Sequence, residues 1–183
     1  MNFIDTNGKL LSDKWFDWIS EFNDGFSRVR LNGKVNFIDT NGKLLSDKWF
    51  DWINDFKDGF VIVKLNGKYN YIDEHGKLLS DKWFDFVIDF KDGFAIVKLN
   101  GKYNHIDEHG KLLSDKWFDW VSDFKDGFVR VKLNGKYNYI DEHGKLLSDK
   151  WFDEAFTFDG DIAMVKLNGK LNNIDKHGVL TEF

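Results

Sequence analysis

Short apolar runs alternate along this chain with polar turns built from Asn, Asp and Gly. One example is the run FVIVKL at residues 60–65, which the pair Asn66-Gly67 separates from KYNYID at residues 68–73. Both runs are rich in β-branched and aromatic residues, which favour strands. Asn-Gly supplies the two positive φ values of a type I′ turn, so the pattern predicts a β-hairpin. The same dipeptide recurs at Asn32-Gly33, Asn100-Gly101, Asn134-Gly135 and Asn168-Gly169.

Two further strands are predicted after each hairpin. Residues 74–76 (EHG) form a turn into a short third strand at residues 77–79. In residues 84–90 (FDFVIDF) apolar and polar side chains alternate, which predicts a fourth strand. One face of that strand would carry Phe84, Phe86, Ile88 and Phe90. A helix that begins at Ser80 is the alternative, but the segment is short and dense in aromatic and β-branched residues, which favours the strand.

The hairpin belongs to a unit of 34 residues that repeats along the whole chain. Residues 69–102 and 103–136 are identical at 29 of these 34 positions. The full repeats cover residues 1–34, 35–68, 69–102, 103–136 and 137–170, and residues 171–183 begin a sixth. A fixed period of this length indicates a repeat architecture. We therefore predict a single all-β repeat domain over residues 1–183, built from antiparallel strands.

Two arrangements would bury the apolar faces of such repeats. In a propeller-like ring the sheets pack face to face around an axis, whereas in an open β-solenoid array each sheet packs only on its neighbours. An open array normally has polar terminal repeats. Here the terminal repeats follow the internal pattern, apart from residues 154–161 (EAFTFDGD). This favours the ring, although the short connections between repeats favour the open array.

The segments GKYNYIDEHGKLLSDKWFD and FKDGFVRVKLNGK resemble the WG repeat, also called the KWG repeat. That family has a Gly-Lys-Trp-Gly-Tyr-Ile-Asp run, a Gly-Lys turn, an aromatic-Asp pair and an acidic-Gly turn before a valine-rich strand. The resemblance covers the entire chain. It departs in the signature dipeptide, which is here Val35-Asn36, Tyr69-Asn70, Tyr103-Asn104 and Tyr137-Asn138. The resemblance implies a β-strand repeat of bacterial or phage proteins, with no enzymatic activity and no ligand common to the family.

Composition and charge narrow the classes of partner. The 183 residues are 42% hydrophobic and carry a net charge of -5, which favours a packed domain and argues against general binding to nucleic acid polymers. No apolar run reaches the roughly 20 residues of a transmembrane helix. Met1 leads directly into a repeat, so we expect no signal peptide, no membrane association and a cytoplasmic location. The chain has no cysteine, which excludes disulfides and thiolate metal sites.

Residues that every repeat shares are better explained by packing than by catalysis. A Trp-Phe pair, predicted to lie in the core or between repeats, recurs at Trp15-Phe16, Trp49-Phe50, Trp83-Phe84, Trp117-Phe118 and Trp151-Phe152. The Asp after each pair is predicted to accept hydrogen bonds from the backbone or to face water rather than to act in catalysis. The turns at His75, His109 and His143 place an imidazole beside carboxylates, but consecutive turn residues rarely converge on one metal ion. No nucleophile and base pair, phosphate loop or cofactor fingerprint occurs, so we expect no enzyme, metal or cofactor.

Positions that differ between repeats are the better candidates for a binding site. One position carries Phe3, Phe37, Tyr71, His105, Tyr139 and Asn173, and a second carries Trp18, Trp52, Phe86, Trp120 and Glu154. A third carries Ser20, Asn54, Ile88, Ser122 and Phe156, and a fourth carries Arg28, Ile62, Ile96, Arg130 and Met164. Repeat proteins build ligand sites from such equivalent points. The predicted ligand-binding residues are Arg28, Arg130, Trp18, Trp52, Trp120, Tyr71, His105 and Tyr139.

The expected function is a non-enzymatic binding or sequestering module. The planar fork of arginine suits phosphate or carboxylate, and lysines with aromatic rings nearby suit a small anion such as a nucleotide. A protein partner is the other candidate ligand. One alternative is a lectin-like module, whose aromatic rings stack on a glycan. The other is a structural scaffold, in which the variable positions differ through neutral drift. The oligomeric state stays open.

Overall fold

The computed structural model describes residues 1–182 and contains only β-structure and turns in that range, which confirms the predicted all-β class. Within these residues, no helix is long and apolar enough to cross a membrane. The chain divides into two compact units, Met1–Phe84 and a second that begins at Asp85. Each unit consists of tandem antiparallel sheets in which neighbours in sequence are neighbours in the sheet.

The first compact unit contains two sheets of three strands each. The first sheet has the order β1 (Trp18–Ile19), β2 (Phe26–Leu31) and β3 (Lys34–Asp39). The second sheet has the order β4 (Trp52–Ile53), β5 (Phe60–Leu65) and β6 (Lys68–Asp73).

The second compact unit contains three sheets. The third sheet consists of β7 (Phe86–Val87), β8 (Phe94–Leu99) and β9 (Lys102–Asp107). The fourth consists of β10 (Trp120–Val121), β11 (Phe128–Leu133) and β12 (Lys136–Asp141). The fifth consists of β13 (Glu154–Ala155), β14 (Ile162–Leu167), β15 (Lys170–Asp175) and β16 (Leu180–Glu182).

The hairpins form where the Asn-Gly pairs predict them. In the fourth sheet β11 and β12 pair along their whole length, up to Leu133 opposite Lys136. Asn134 and Gly135 between them have φ values of 51° and 81°, as a type I′ turn requires. The Asp119 carboxylate accepts a hydrogen bond from the Asn134 backbone N–H at 2.7 Å. The predicted backbone role of the repeated Asp is therefore confirmed at this position.

The prediction of a long fourth strand over residues 84–90 is wrong. Only β7 is a strand there, and the predicted face is broken because Phe84 and Val87 are buried while Phe86 is exposed. The equivalent segment in the next repeat shows the reason. Phe118 pairs with Tyr103 of the third sheet, whereas Trp120 pairs with Lys132 of the fourth. The segment passes from one sheet to the next, so a single alternation does not run through it.

The predicted third strand is also shorter than expected. Residues 77–79 contribute one isolated bridge, Ile72 to Leu78, rather than a strand. Within residues 1–182 this edge becomes a full strand only in the fifth sheet, as β16. The alternative of a helix that begins at Ser80 does not occur. Each sheet therefore consists of a two-residue strand, the hairpin that follows it and a short outer edge.

A buried asparagine holds the turn beside each of the first four hairpins, at the position where the chain departs from the WG pattern. Asn138 donates hydrogen bonds from its side-chain amide to the carbonyl oxygens of Ser148 at 2.8 Å and Lys150 at 3.0 Å. Its side-chain oxygen accepts the Tyr139 backbone N–H at 2.8 Å. Glycine could make none of these side-chain bonds. The substitution therefore has a structural explanation in this chain.

The apolar core lies between successive sheets of each compact unit. In the first unit Phe50, Val63 and Ile72 are buried, and Phe26 and Trp83 pack against the same cluster. Equivalent clusters include Phe16 with Trp49, and Phe118 with Trp151. The predicted packing role of the Trp-Phe pair is confirmed there, although Trp15 is 65% exposed.

Candidate functional site

Three of the four variable positions form one row across each sheet. In the fourth sheet the Ser122 backbone N–H donates to the Arg130 carbonyl at 2.9 Å, and the Ser122 hydroxyl accepts the Arg130 N–H at 3.0 Å. Arg130 lies opposite Tyr139 in the β11–β12 pairing. In the first sheet Ser20 makes the same contacts with Arg28, which lies opposite Phe37. Residues that vary together in sequence thus lie side by side in space.

The buried end of this row contains three of the predicted ligand residues. Tyr71, His105 and Tyr139 are at most 2% exposed, so their rings form supporting walls rather than surface platforms. The Tyr139 hydroxyl donates a hydrogen bond to the Phe156 carbonyl of the fifth sheet, and burial raises the pKa of Tyr139. The Nδ1 atom of His105 is buried without a hydrogen-bond partner.

The three predicted tryptophans lie on the two-residue strands at the opposite edge of the sheets. Trp18, Trp52 and Trp120 are all exposed, to between 40% and 47%. Trp120 also faces the guanidinium group of Arg130, whose carbon lies 5.6 Å from a Trp120 ring centroid. The structure therefore brings together two of the predicted residues, Trp120 and Arg130, at the surface of the fourth sheet.

Arg28 lies in a cavity with acidic surroundings, which we call the acidic cavity. This cavity has a volume of about 580 Å³, and its charged lining residues are Arg28, Glu21, Asp24 and Asp55. Arg28 forms a salt bridge with Asp55 of the second sheet. One cation thus faces three carboxylates, and the guanidinium charge of Arg28 is already neutralised within the protein.

Arg130 occupies the equivalent point with the opposite charge balance. Thr157 stands at the position that Asp55 occupies three repeats earlier, so Arg130 donates instead to the Ala155 carbonyl oxygen at 3.0 Å. The cavity here, which we call the cationic cavity, has a volume of about 410 Å³. Its charged lining residues are Lys91, Lys125, Arg130 and Asp123. Asp123 lies 3.7 Å from the Lys91 ammonium nitrogen, which leaves Lys125 and Arg130 without a carboxylate partner within residues 1–182. This surplus of positive charge favours an anionic ligand.

A second cavity, which we call the aromatic cavity, also includes Arg130. Its volume is about 840 Å³, and its lining includes the rings of Trp120, Tyr137 and Phe156 together with Lys132. The Lys132 ammonium nitrogen lies 4.9 Å from the centroid of the Tyr137 ring. Arg130 thus borders both a cationic and an aromatic cavity.

The carboxylates of the aromatic cavity already have cationic partners. Asp119 forms a salt bridge with Lys102, and this contact together with the Asn134 N–H lowers the pKa of Asp119. Glu154 lies 3.1 Å from Lys166. Within residues 1–182 neither Arg130 nor Lys132 forms a salt bridge. In the aromatic cavity, the cations without a carboxylate partner therefore outnumber the carboxylates without a cationic partner.

The altered stretch at residues 154–161 shapes both cavities. Glu154 and Ala155 stand where the second sheet has Trp52 and Ile53, so two large apolar side chains give way to one carboxylate and one methyl group. Phe156 stands where the other full repeats have Ser, Asn or Ile, and Thr157 replaces an acid. These four residues were not among the predicted site residues. The departure of EAFTFDGD from the repeat pattern was the signal that could have found them.

The histidine turns do not form a metal centre in the described part of the chain. The side chains of His75 and His143 are 81% exposed, and each lies 3.7 Å from the glutamate that precedes it. No group of three or more His, Asp or Glu side chains in residues 1–182 is arranged to hold a metal ion.

Comparison with known proteins identifies the repeat. The family model described as WG containing repeat matches residues 3–34, 37–69, 71–103, 106–137 and 139–170. No curated protein matches the sequence.

Several solved structures are similar at low sequence identity. Hsv2p of Kluyveromyces lactis is 14% identical with a TM-score of 0.37, and the alignment covers 88% of this chain and 62% of that chain. A Bacteroides caccae protein of unknown function is 12% identical with a TM-score of 0.30, over 90% of this chain and 79% of the other. This chain thus spans less than two thirds of the Hsv2p chain.

Proposed function

This chain belongs to the WG containing repeat family, and we propose that it is a non-enzymatic binding module that holds a small anionic ligand at Arg130. Tandem sheets of one repeat are suited to binding or scaffolding because neighbouring sheets present equivalent side chains to a common ligand. The finer assignment to an anion rests on the charge around Arg130.

The observation that carries the proposal is the contrast between two equivalent arginines. Arg28 is neutralised by Asp55, whereas Arg130 has Thr157 at the corresponding point and forms no salt bridge within residues 1–182. An arginine in a cleft without a carboxylate partner favours phosphate or carboxylate groups, because its planar N–H donors match their oxygens. Lys125 lines the same cleft and adds to the positive potential, while Lys91 is paired there with Asp123.

The test compares Arg130→Ile with Arg28→Ile. Isoleucine already occupies the equivalent positions 62 and 96, so both variants should fold. We expect Arg130→Ile to weaken binding of pyrophosphate and of ribose 5-phosphate by about 10- to 100-fold in calorimetric titrations, as the loss of a charge-assisted contact of about 1 to 3 kcal/mol requires. Arg28→Ile should bind both anions like the unmodified protein.

A gain of charge provides the matched control. In Thr157→Asp the new carboxylate should pair with Arg130 as Asp55 pairs with Arg28, and anion binding should fall although no cation has been removed. Equal anion binding by the unmodified protein, Arg130→Ile and Thr157→Asp would contradict the proposal. Binding of neutral oligosaccharides instead of anions would favour the lectin-like alternative, and binding of neither would favour a protein partner or a scaffold.

A further inference from the structure

We propose that the ligand of this site is a nucleoside monophosphate, with its phosphate at Arg130 and its base in the aromatic cavity. This inference rests on the anion-binding function proposed above and specifies the chemical class of the ligand. It follows from three kinds of side chain that line the two cavities around Arg130. These are cations, an exposed aromatic ring and carboxylates.

The cations account for the phosphate. Arg130 uses one guanidinium nitrogen for the Ala155 carbonyl oxygen, which leaves other N–H donors of its fork for an anion. Lys125 lines the same cavity and forms no salt bridge within residues 1–182. A single phosphate group matches this small number of available cations, since its two negative charges would be neutralised there.

The aromatic ring accounts for the base. Phe156 is 40% exposed, lines the aromatic cavity and makes no ring contact with another aromatic or cationic side chain in the described chain. The same point carries Ser20, Asn54, Ile88 and Ser122 in the other full repeats, so an aromatic ring at this point occurs in this repeat alone. An exposed ring of this kind favours stacking of a planar nucleobase, because every base presents a π-face.

The carboxylates account for the sugar. Glu154 and Asp119 line the aromatic cavity beside Phe156 and can accept hydrogen bonds from ribose hydroxyl groups or base amino groups. A cavity of about 840 Å³ lies within the usual range for a small-molecule ligand. A nucleoside monophosphate combines the donors, the planar ring and the single phosphate that this lining requires.

The experiment titrates AMP and ribose 5-phosphate into the unmodified protein, Phe156→Ser and Arg130→Ile by calorimetry. Serine is the natural residue at position 122, so Phe156→Ser should preserve the sheet. We expect AMP to bind at least about tenfold more tightly than ribose 5-phosphate, which lacks the base. Phe156→Ser should remove this difference and leave the affinity for ribose 5-phosphate unchanged. Arg130→Ile should weaken the binding of both compounds.

Three failures are distinguishable. Equal affinities for AMP and ribose 5-phosphate in the unmodified protein, both reduced in Arg130→Ile, would overturn the nucleotide inference and leave the anion site standing. Absence of binding by either compound would overturn the anion site as well. Tight AMP binding that Phe156→Ser does not alter would overturn the placement of the base.

Discussion

His105 shows how one side chain departs from its repeat without changing the fold. The equivalent residues Tyr71 and Tyr139 are as deeply buried, and the Tyr139 hydroxyl bonds the next sheet. His105 has the same burial, and its ring packs edge-on against Phe124 at 5.4 Å between centroids. Burial lowers the pKa of His105 from 6.5 to about 4, an effect that the nearby Asp123 carboxylate opposes. The imidazole is therefore neutral in the folded protein at pH 7.

The pH dependence of stability follows from this shift. Between pH 6.5 and pH 4 the unfolded chain binds a proton at His105 that the folded protein does not bind, so the free energy of unfolding falls as the pH falls. We expect a loss on the order of 2 to 3 kcal/mol relative to His105→Tyr across this interval. Urea unfolding at pH 7, 5.5 and 4.5 measures the difference.

His105→Tyr is the matched control because tyrosine is the natural residue at positions 71 and 139. All other titrating groups are the same in both proteins, so their contributions cancel in the comparison. Parallel stability curves for the two proteins would contradict the neutral, buried state of His105.

Two glycines in different kinds of turn have different structural roles. Gly101, in the Asn-Gly turn of the third sheet, has a φ of 80° and open space where a Cβ atom would lie. Gly144, in the turn after β12, has a φ of 77°, but its Cβ atom would lie 1.8 Å from the Leu113 carbonyl oxygen of the preceding repeat. The first glycine serves the conformation of one hairpin, whereas the second also permits two repeats to approach closely.

Alanine substitution separates these two roles. Gly101→Ala should cost about 1 to 2 kcal/mol in the free energy of unfolding, because alanine resists a positive φ. Gly144→Ala should add about 1 to 3 kcal/mol to that cost, since backbone atoms of two repeats must move apart. Denaturant unfolding of both variants provides the comparison. Equal losses in the two variants would show that the close approach at Gly144 contributes nothing.

At the scale of the whole molecule the repeats are almost identical, but the candidate site occurs once. The acidic cavity around Arg28 has the same position in its sheet as the cationic cavity around Arg130, and the two differ in charge. Within residues 1–182 only residues 154–157 combine the loss of an acid, at Thr157, with an exposed ring, at Phe156, and a small side chain, at Ala155. A repeated scaffold with one altered segment is therefore expected to provide one anion site rather than five.

Stoichiometry tests this conclusion. We expect calorimetric titration with AMP to give one ligand per chain, because the acidic cavity repels anions and the repeats without arginine at this point lack the guanidinium group. Protein concentration should be fixed independently by amino-acid analysis. A stoichiometry near the number of repeats would contradict a single site and favour equivalent, lectin-like sites along the chain.

The sequence by itself determined the repeat, the all-β class and the hairpins. These features depend on neighbours in sequence: Asn66-Gly67 sets its turn through φ, and the runs on both sides pair because that turn brings them together. The 34-residue period and the resemblance to the WG repeat could also be recognised from the sequence alone, and the family match confirms them. The propeller-like ring stays a prediction.

Only the tertiary structure decided which arginine is available to a ligand. Arg28 and Arg130 occupy equivalent positions, and their difference comes from Asp55 and Thr157, which lie 27 residues further along the chain and in the next sheet. The same holds for residues 84–90, whose alternation suggested one strand although Phe84 and Phe86 pair with different partners. Salt bridges and strand pairing between distant residues depend on how sheets pack, and local patterns of polarity do not contain that information.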